Sequence, residues 1–397
     1  DEALKSFAAA LRKSKPTSIA AIAGNQADAE SMFALKSLMT RLGSPNIDCR
    51  QDGAKIGGKR CGYLFNSRVA GIDEADALLI IGSNPRIEAA VLNARIRRNW
   101  LSSRMPIGVV GPKTDLTYHA DFLGEEPSIL DAIARGTHKF STKLKKAKRP
   151  MIIIGMGAVA RVDGAAMLGK ARQIAEAYDV VTNDWNGFNM LHTAAARVGG
   201  LDIGFVPGRG GMDVAAMGKA ALANKLDILW LLGADEIDFD VFSSSYIVYQ
   251  GHHGDVGAHH ADLVLPGAAY TEKDGIYVNT EGRVQYASRA AFPPGDARED
   301  WAIIRAVSGA VGKSIGFDSL GELREALIVA HPHFADADQI APAKWASFGG
   351  RAKLSSTPVG YAFDNFYMTC AISRASEIMA ECVLASGVDG DSSVAAE

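Results

Sequence analysis

The chain has 397 residues, 48% of them hydrophobic and 22% charged, with a formal net charge of −3. That length exceeds one ordinary core and predicts two or three domains. The balanced charge argues against nucleic-acid binding, and no apolar run approaches the ~18 residues that would cross a bilayer, so no direct membrane insertion is expected.

The opening DEALKSFAAALRKSKP reads as an amphipathic helix with an acidic start and no signal-peptide features. It begins abruptly, and a preceding piece is expected. SIAAIAG predicts a buried strand. In the helix that follows, Met32, Leu35, Leu38, Met39 and Leu42 recur at three- and four-residue steps, with Gly43 at the C-terminal cap. In DALLIIGSNPRIEAAVLNARIRRNW, ALLII predicts a strand, Asn84 the N-cap and Pro85 the first position of one helix. PIGVVG is the next strand. The basic runs ARIRRNW and STKLKKAKRP have no basic domain around them and read as solvated helix or linker. Beyond them, MIIIGMG, a helix GAAMLGKARQIAEAY capped by Asp163, and the runs DVVTND, LDILWLLG, YIVYQG and ADLVLPG continue the series. Apolar runs without alternation, separated by helices, predict a doubly wound α/β protein with mostly parallel sheets. From about Gln339 the text turns extended and aromatic. ISRASEIMAECVLA predicts one amphipathic helix, and SGVDGDSSVAAE a disordered end.

Ligands of such folds sit at the carboxyl ends of the strands, where this chain places Gly24, Gly82-Ser83-Asn84, Gly155, Gly157, Gly233 and Gly251. These glycines admit a ligand or simply let the chain turn. In GMGAVA, Gly155, Gly157 and Ala160 keep a dinucleotide register, yet the helix is expected only after RVDG, too late to face a pyrophosphate. An NAD-dependent dehydrogenase is therefore a rival function. Four of the nine histidines, His252, His253, His259 and His260, crowd one loop. Gly254 and Gly257 argue there against a rigid helix, and neither Asp255 nor Asp262 completes a zinc spacing. The stretch YTEKDGIYVNTEGRVQ packs Glu272, Lys273, Asp274, Asn279, Glu281 and Arg283 together, as a solvated hairpin or a site. Cys49, Cys61, Cys370 and Cys382 form no C-x-x-C pair, so no metal or iron–sulfur ligand set is predicted.

ADLVLPGAAYTEKDGIYVNTEGRVQ resembles the molybdopterin oxidoreductases, the formate dehydrogenase and dimethyl-sulfoxide reductase superfamily. More narrowly, GSNPRIEAAVLNARIRRNW, YTEKDGIYVNTEGRVQ and FYMTCAISRAS, far apart and in order, resemble the C-terminal region of the G-subunit family of NADH-quinone oxidoreductase, respiratory complex I. The resemblance covers nearly the whole chain. It implies two interleaved domains: residues 1–45 and 150–312 form a pterin-type domain, and 46–149 a second α/β domain inserted in it. A helical extension over 313–340 and a tail with one helix over 341–397 follow.

It also implies that 2Fe-2S and 4Fe-4S clusters belong to an N-terminal region absent here, and that this piece holds no cofactor. Where active relatives place a metal-binding cysteine or selenocysteine after a stretch like NIDC, this chain has Asp52, Gly53, Ala54 and Lys55, which departs from the catalytic pattern. No catalytic or metal-ligating residue is assigned. The candidates for a vestigial pterin cleft are Gly82, Ser83, Asn84, His252, His253, Glu272, Lys273 and Asn279. The implied role is a non-catalytic support in the peripheral arm, beside other peripheral-arm subunits. Its expected place is the cytoplasmic side of the bacterial inner membrane, or the mitochondrial matrix side. An active molybdopterin-dependent oxidoreductase is the alternative. The tail from Tyr361 to Met368 is expected either to dock on a partner or to pack on its own domain.

Overall fold

The computed structural model describes residues 2–362, 365 and 367–386, so the end expected to be disordered lies almost wholly outside the described residues. The strands are β1 (Ile19–Ala23), β2 (Ile47–Asp48), β3 (Ala77–Ile81), β4 (Ile107–Val110), β5 (Asp121–Gly124) and β6 (Pro150–Gly155). They continue with β7 (Phe188–Leu191), β8 (Ile228–Leu232), β9 (Tyr246–Gly251), β10 (Leu263–Pro266), β11 (Gly275–Val278) and β12 (Val284–Ala287).

Two parallel five-stranded sheets result, ordered β10-β9-β8-β1-β2 and β5-β4-β3-β6-β7, with β11 and β12 as a separate antiparallel hairpin. Every residue of β1, β3, β6 and β8 is buried, as strands covered on both faces must be. The chain leaves the first sheet after Asp48, builds the second, and returns at Ile228. Against the expected inserted domain over 46–149, the second sheet also takes in β6 and β7, past that limit. β6 pairs with β3, from Ala77 opposite Pro150 to Ile81 opposite Ile154, and β7 adds to β6. An unalternating apolar strand fits either sheet equally well, so the text of β6 could not say which one it joins.

Local signals met mixed outcomes. Asp28 caps the helix Ala29–Leu42 by accepting from Ser31 N at 2.7 Å, and Gly43 ends it at φ +80°. Asn84 stands at the N-cap position without capping; the Glu88 carboxylate instead accepts from Asn84 N at 2.8 Å. The helix expected from Pro85 breaks at Ala89 (φ −155°) and resumes over Ala90–Ser103. Asp163 does not cap Gly164–Ala177, because its carboxylate is taken by Arg161 and by Ser355 N. DVVTND forms no strand; only Val181 makes a bridge, with Asn186. β5 and β7 were not read, each being four residues long and carrying a polar side chain, Asp121 or Asn189. The tail helix is two, Ala371–Arg374 and Glu377–Ser386, because the Ser376 hydroxyl accepts from Met379 N at 3.3 Å and restarts the helix.

Helix Asp300–Val311 packs on Ala29–Leu42 and on the opening helix Glu2–Lys13. Phe7 of that helix meets Trp230 of β8 edge-on, centroids 4.8 Å apart. One core joins the inner faces of both sheets, and two smaller ones line their outer faces. No described helix is long and apolar enough to cross a membrane.

Candidate functional site

In an open parallel sheet the natural ligand crevice lies at the carboxyl ends of the strands where the winding reverses. The first sheet reverses between β1 and β8, the second between β3 and β6.

At the first reversal, Gly24 and Gly233 bring the strand ends so close that a Cβ at Gly24 would overlap the Gly233 carbonyl. The crevice left over is lined by Gln26, Gln250, His252, Tyr270, Lys273 and Asp300, among others, and has a volume of about 20 Å³. Lys273 fills its floor. Its Nζ lies 2.8 Å from Asp28 and also pairs with Asp300, and all three side chains are at most 7% exposed. Gln250 Nε2 donates to Asp300 Oδ1 at 2.9 Å. Burial pulls the Lys273 pKa down, but the two carboxylates reverse this and hold it well above the usual lysine range. Burial raises Asp28 and Asp300 alike. At Asp28, Lys273 and the Ser31 donors overcome it and leave the carboxyl low, whereas Asp300 stays raised. Beside them Glu30 accepts from Ile276 N at 2.7 Å and from Arg324 Nε at 2.8 Å, and burial with the Asp28 charge raises it to about 7.

The histidine loop divides. His252 lines the crevice, its Nδ1 lies 2.6 Å from that of His253, and burial, helped by His253 and Lys273, lowers His252 to about 4. His259 and His260 point outwards on a short helix, Val256–His260, which forms despite the glycines. The carbonyl groups of Asp255 and Val256 occupy their Nδ1 atoms at 2.9 Å. Among the described residues no group of three or more His, Cys, Asp or Glu converges as a metal site.

At the second reversal Gly82 takes φ +59°, where a Cβ would strike the Ala158 backbone. Ser83 and Asn84 are buried and both engage Glu88, at 2.8 Å each. Gly157 is indeed a place of close backbone approach, but what approaches is the chain itself. A Cβ there would overlap the Gly360 carbonyl oxygen.

The hairpin candidates serve the hairpin. Glu272 accepts from Ala269 N at 3.0 Å, and Asn279 Oδ1 accepts from both Glu281 N and Arg283 N at 3.0 Å. Only His252 and Lys273 of the eight candidates line the crevice together. Asp52 lies 3.0 Å from the buried Arg197, and Lys55 pairs with Asp213 at 2.6 Å. Cys49 is sealed in, its thiol pushed up to about 12 by burial and Asp48. A groove of about 320 Å³ opens by the edge strand β7, between His192, Tyr277, Asn279 and Gln285. There burial and Arg197 lower His192 to about 4.

Sequence reading missed Asp28, Glu30, Arg197, Asp202, Asp300 and Arg374 as buried or anchoring charges. Asp202 alone receives Arg60, Tyr63 and His333 within 3.0 Å. No spacing marks such residues, because their partners come from distant segments. One trace of a cleft does survive. Asn25 Oδ1, Gln51 Oε1, Asn84 Oδ1, His192 Nδ1 and Gln250 Oε1 are buried without partners, each at or just past a strand's carboxyl end. The residues nevertheless do not fit a pterin nucleotide: 20 Å³ at one reversal is far below the roughly 300–1,000 Å³ of small-molecule sites, and the tail backbone closes the other.

Two interleaved doubly wound sheets with paired strand-end crevices define a protein of the molybdopterin-enzyme fold. The chain belongs to the molybdopterin oxidoreductase family, whose model matches residues 1–310. Residues 339–382 match the C-terminal model of the NADH-ubiquinone oxidoreductase G subunit. Over 383 residues it is 44% identical to the NADH-quinone oxidoreductase G subunit of Rickettsia felis, covering 96% of this chain and 55% of that protein. It is 41% identical over 386 residues to the mitochondrial NADH dehydrogenase [ubiquinone] iron-sulfur protein 1 of Solanum tuberosum, covering 96% of this chain and 51% of that protein. The chain thus spans about half the length of these curated relatives, and the resemblance to the G-subunit family holds. Among solved structures, the formyltransferase/hydrolase complex of Methylorubrum extorquens matches with a TM-score of 0.55 at 17% identity, over 79% of this chain and 96% of that one. Acetylene hydratase of Pelobacter acetylenicus matches with 0.53 at 14%, over 85% and 61%. Identities that low show the fold alone.

Proposed function

We propose that this chain is the C-terminal, non-catalytic part of the G subunit of a proton-pumping NADH-quinone oxidoreductase. It holds no cofactor of its own. It buttresses a preceding region whose 2Fe-2S and 4Fe-4S clusters relay electrons from NADH towards quinone. Its partners are other peripheral-arm subunits, and it lies on the cytoplasmic side of the inner membrane, or the matrix side in a mitochondrion. The observation that carries this is the 44% identity along 96% of the chain, joined to a strand-end crevice of only about 20 Å³ lined by the paired Lys273 and Asp300.

The test uses the intact oxidoreductase purified with this chain in it, from cells that make molybdopterin. NADH–quinone activity that co-purifies with the chain is expected, with no molybdenum or pterin at stoichiometric level. About one molybdenum per chain would replace this function with that of an active molybdopterin oxidoreductase.

A further inference from the structure

The tail follows a path that a surface-docking strap would not take. Gly350 N donates to Ala165 O, and Ser355 N donates to Asp163 at 2.8 Å. Arg161 donates to the carbonyls of Thr357 and Pro358 at 2.8 and 2.6 Å. Val359, wholly buried, donates its N–H to Glu125 O just past β5, at 2.7 Å. Gly360 then rests on Gly157 just past β6, and the Tyr361 hydroxyl donates to Pro112 O just past β4. In sequence order the tail therefore visits the carboxyl ends of β5, β6 and β4.

Further on it reaches the first sheet. Arg374 Nε lies 2.6 Å from Asp255, and its Nη2 lies 3.1 Å from Glu236 and 3.3 Å from Asp235. Asp235 and Glu236 follow β8, and Asp255 follows β9. Three carboxylates at that mouth would repel the phosphates of an anionic pterin nucleotide and attract a guanidinium.

We propose that residues 355–362 and 370–374 are a built-in occupant of the paired strand-end clefts, seated where relatives of this fold take a ligand. The Gly360 backbone occupies the glycine approach at Gly157, and the Arg374 side chain neutralises the acidic mouth of the other cleft. The tail is then an intramolecular ligand whose family-specific sequence accompanies loss of the cofactor. This deepens the cofactor-free function proposed above and rests on it.

Hydrogen exchange of the full chain tests it, comparing wild type with Arg374→Glu and with Tyr361→Ala. Expected is at least tenfold faster exchange in peptides over 350–362 and 370–376. The strand-end peptides 82–89, 155–160 and 233–236 should speed up with them, while helix Ala90–Ser103 stays unchanged. Adding methylguanidinium to Arg374→Ala should slow exchange at 233–236 again. If Arg374→Glu fails to fold, Tyr361→Ala decides alone through 82–89 and 155–160. Release of the tail with those strand ends still protected would overturn the proposal, as would a tail that both variants leave in place. Molybdenum in the purified oxidoreductase would sink the cofactor-free reading instead, so the two failures are separable.

Discussion

Lys273 is the residue on which the crevice depends. It sits between Asp28, which also caps a helix, and Asp300, which opens another, so one ammonium ties three segments together. Removing one member of a buried charged set strands the others, which costs about 3–5 kcal/mol. Lys273→Met should lower the unfolding free energy by that amount in urea titrations; a loss under about 1 kcal/mol would mean the triad is not buried as described. His252 predicts a pH effect. Its folded pKa of about 4 lies below the ordinary ~6.5, so the unfolded chain takes up the proton first. Its contribution is fully present above pH ~6.5 and is lost as the pH falls from there towards 4. Relative to His252→Asn, wild type should lose about 2 kcal/mol between about pH 7.5 and 4.5. A gap that stays constant across that range would show the ring to be solvated.

Among the elements, the hairpin β11–β12 shows how site-like text can be structural. Its charged and amide side chains looked like a converging constellation, yet Asn279 closes the turn, Asp274 accepts from Arg289 N, and Glu281 accepts from Val69 N. Replacing Asn279 with alanine removes two acceptor contacts and should cost about 1–2 kcal/mol. Thermal unfolding of that variant checks it, and no change in Tm would assign the turn to other contacts. A capping signal was readable where the cap is local, as at Gly43. Such signals failed at Asn84, whose Oδ1 finds no partner while Glu88 accepts from its N–H, and at Asp163, whose carboxylate is taken by Arg161 and Ser355.

On the scale of the whole molecule, the tail acts as an internal brace. Phe348 tilts against Phe188 with centroids 5.1 Å apart, Trp345 meets the same ring at 5.4 Å, and Val359 is fully buried. Burying each such side chain contributes about 1.5–3 kcal/mol. A chain ending at residue 339 should therefore melt roughly 10 °C lower. An unchanged Tm would return the tail to the role of a partner-docking strap.

The sequence by itself determined the α/β class, most of the parallel strands, the hairpin and the family, because burial on both faces writes itself as unbroken apolar runs and three separated segments keep the family's text. It could not assign β6 to the second sheet, since a strand apolar on both faces carries no mark of its neighbour. Nor could it show that Lys273 meets Asp28 and Asp300, or that Gly360 lies on Gly157. Those contacts join segments up to about 245 residues apart, and only the tertiary fold brings such partners together.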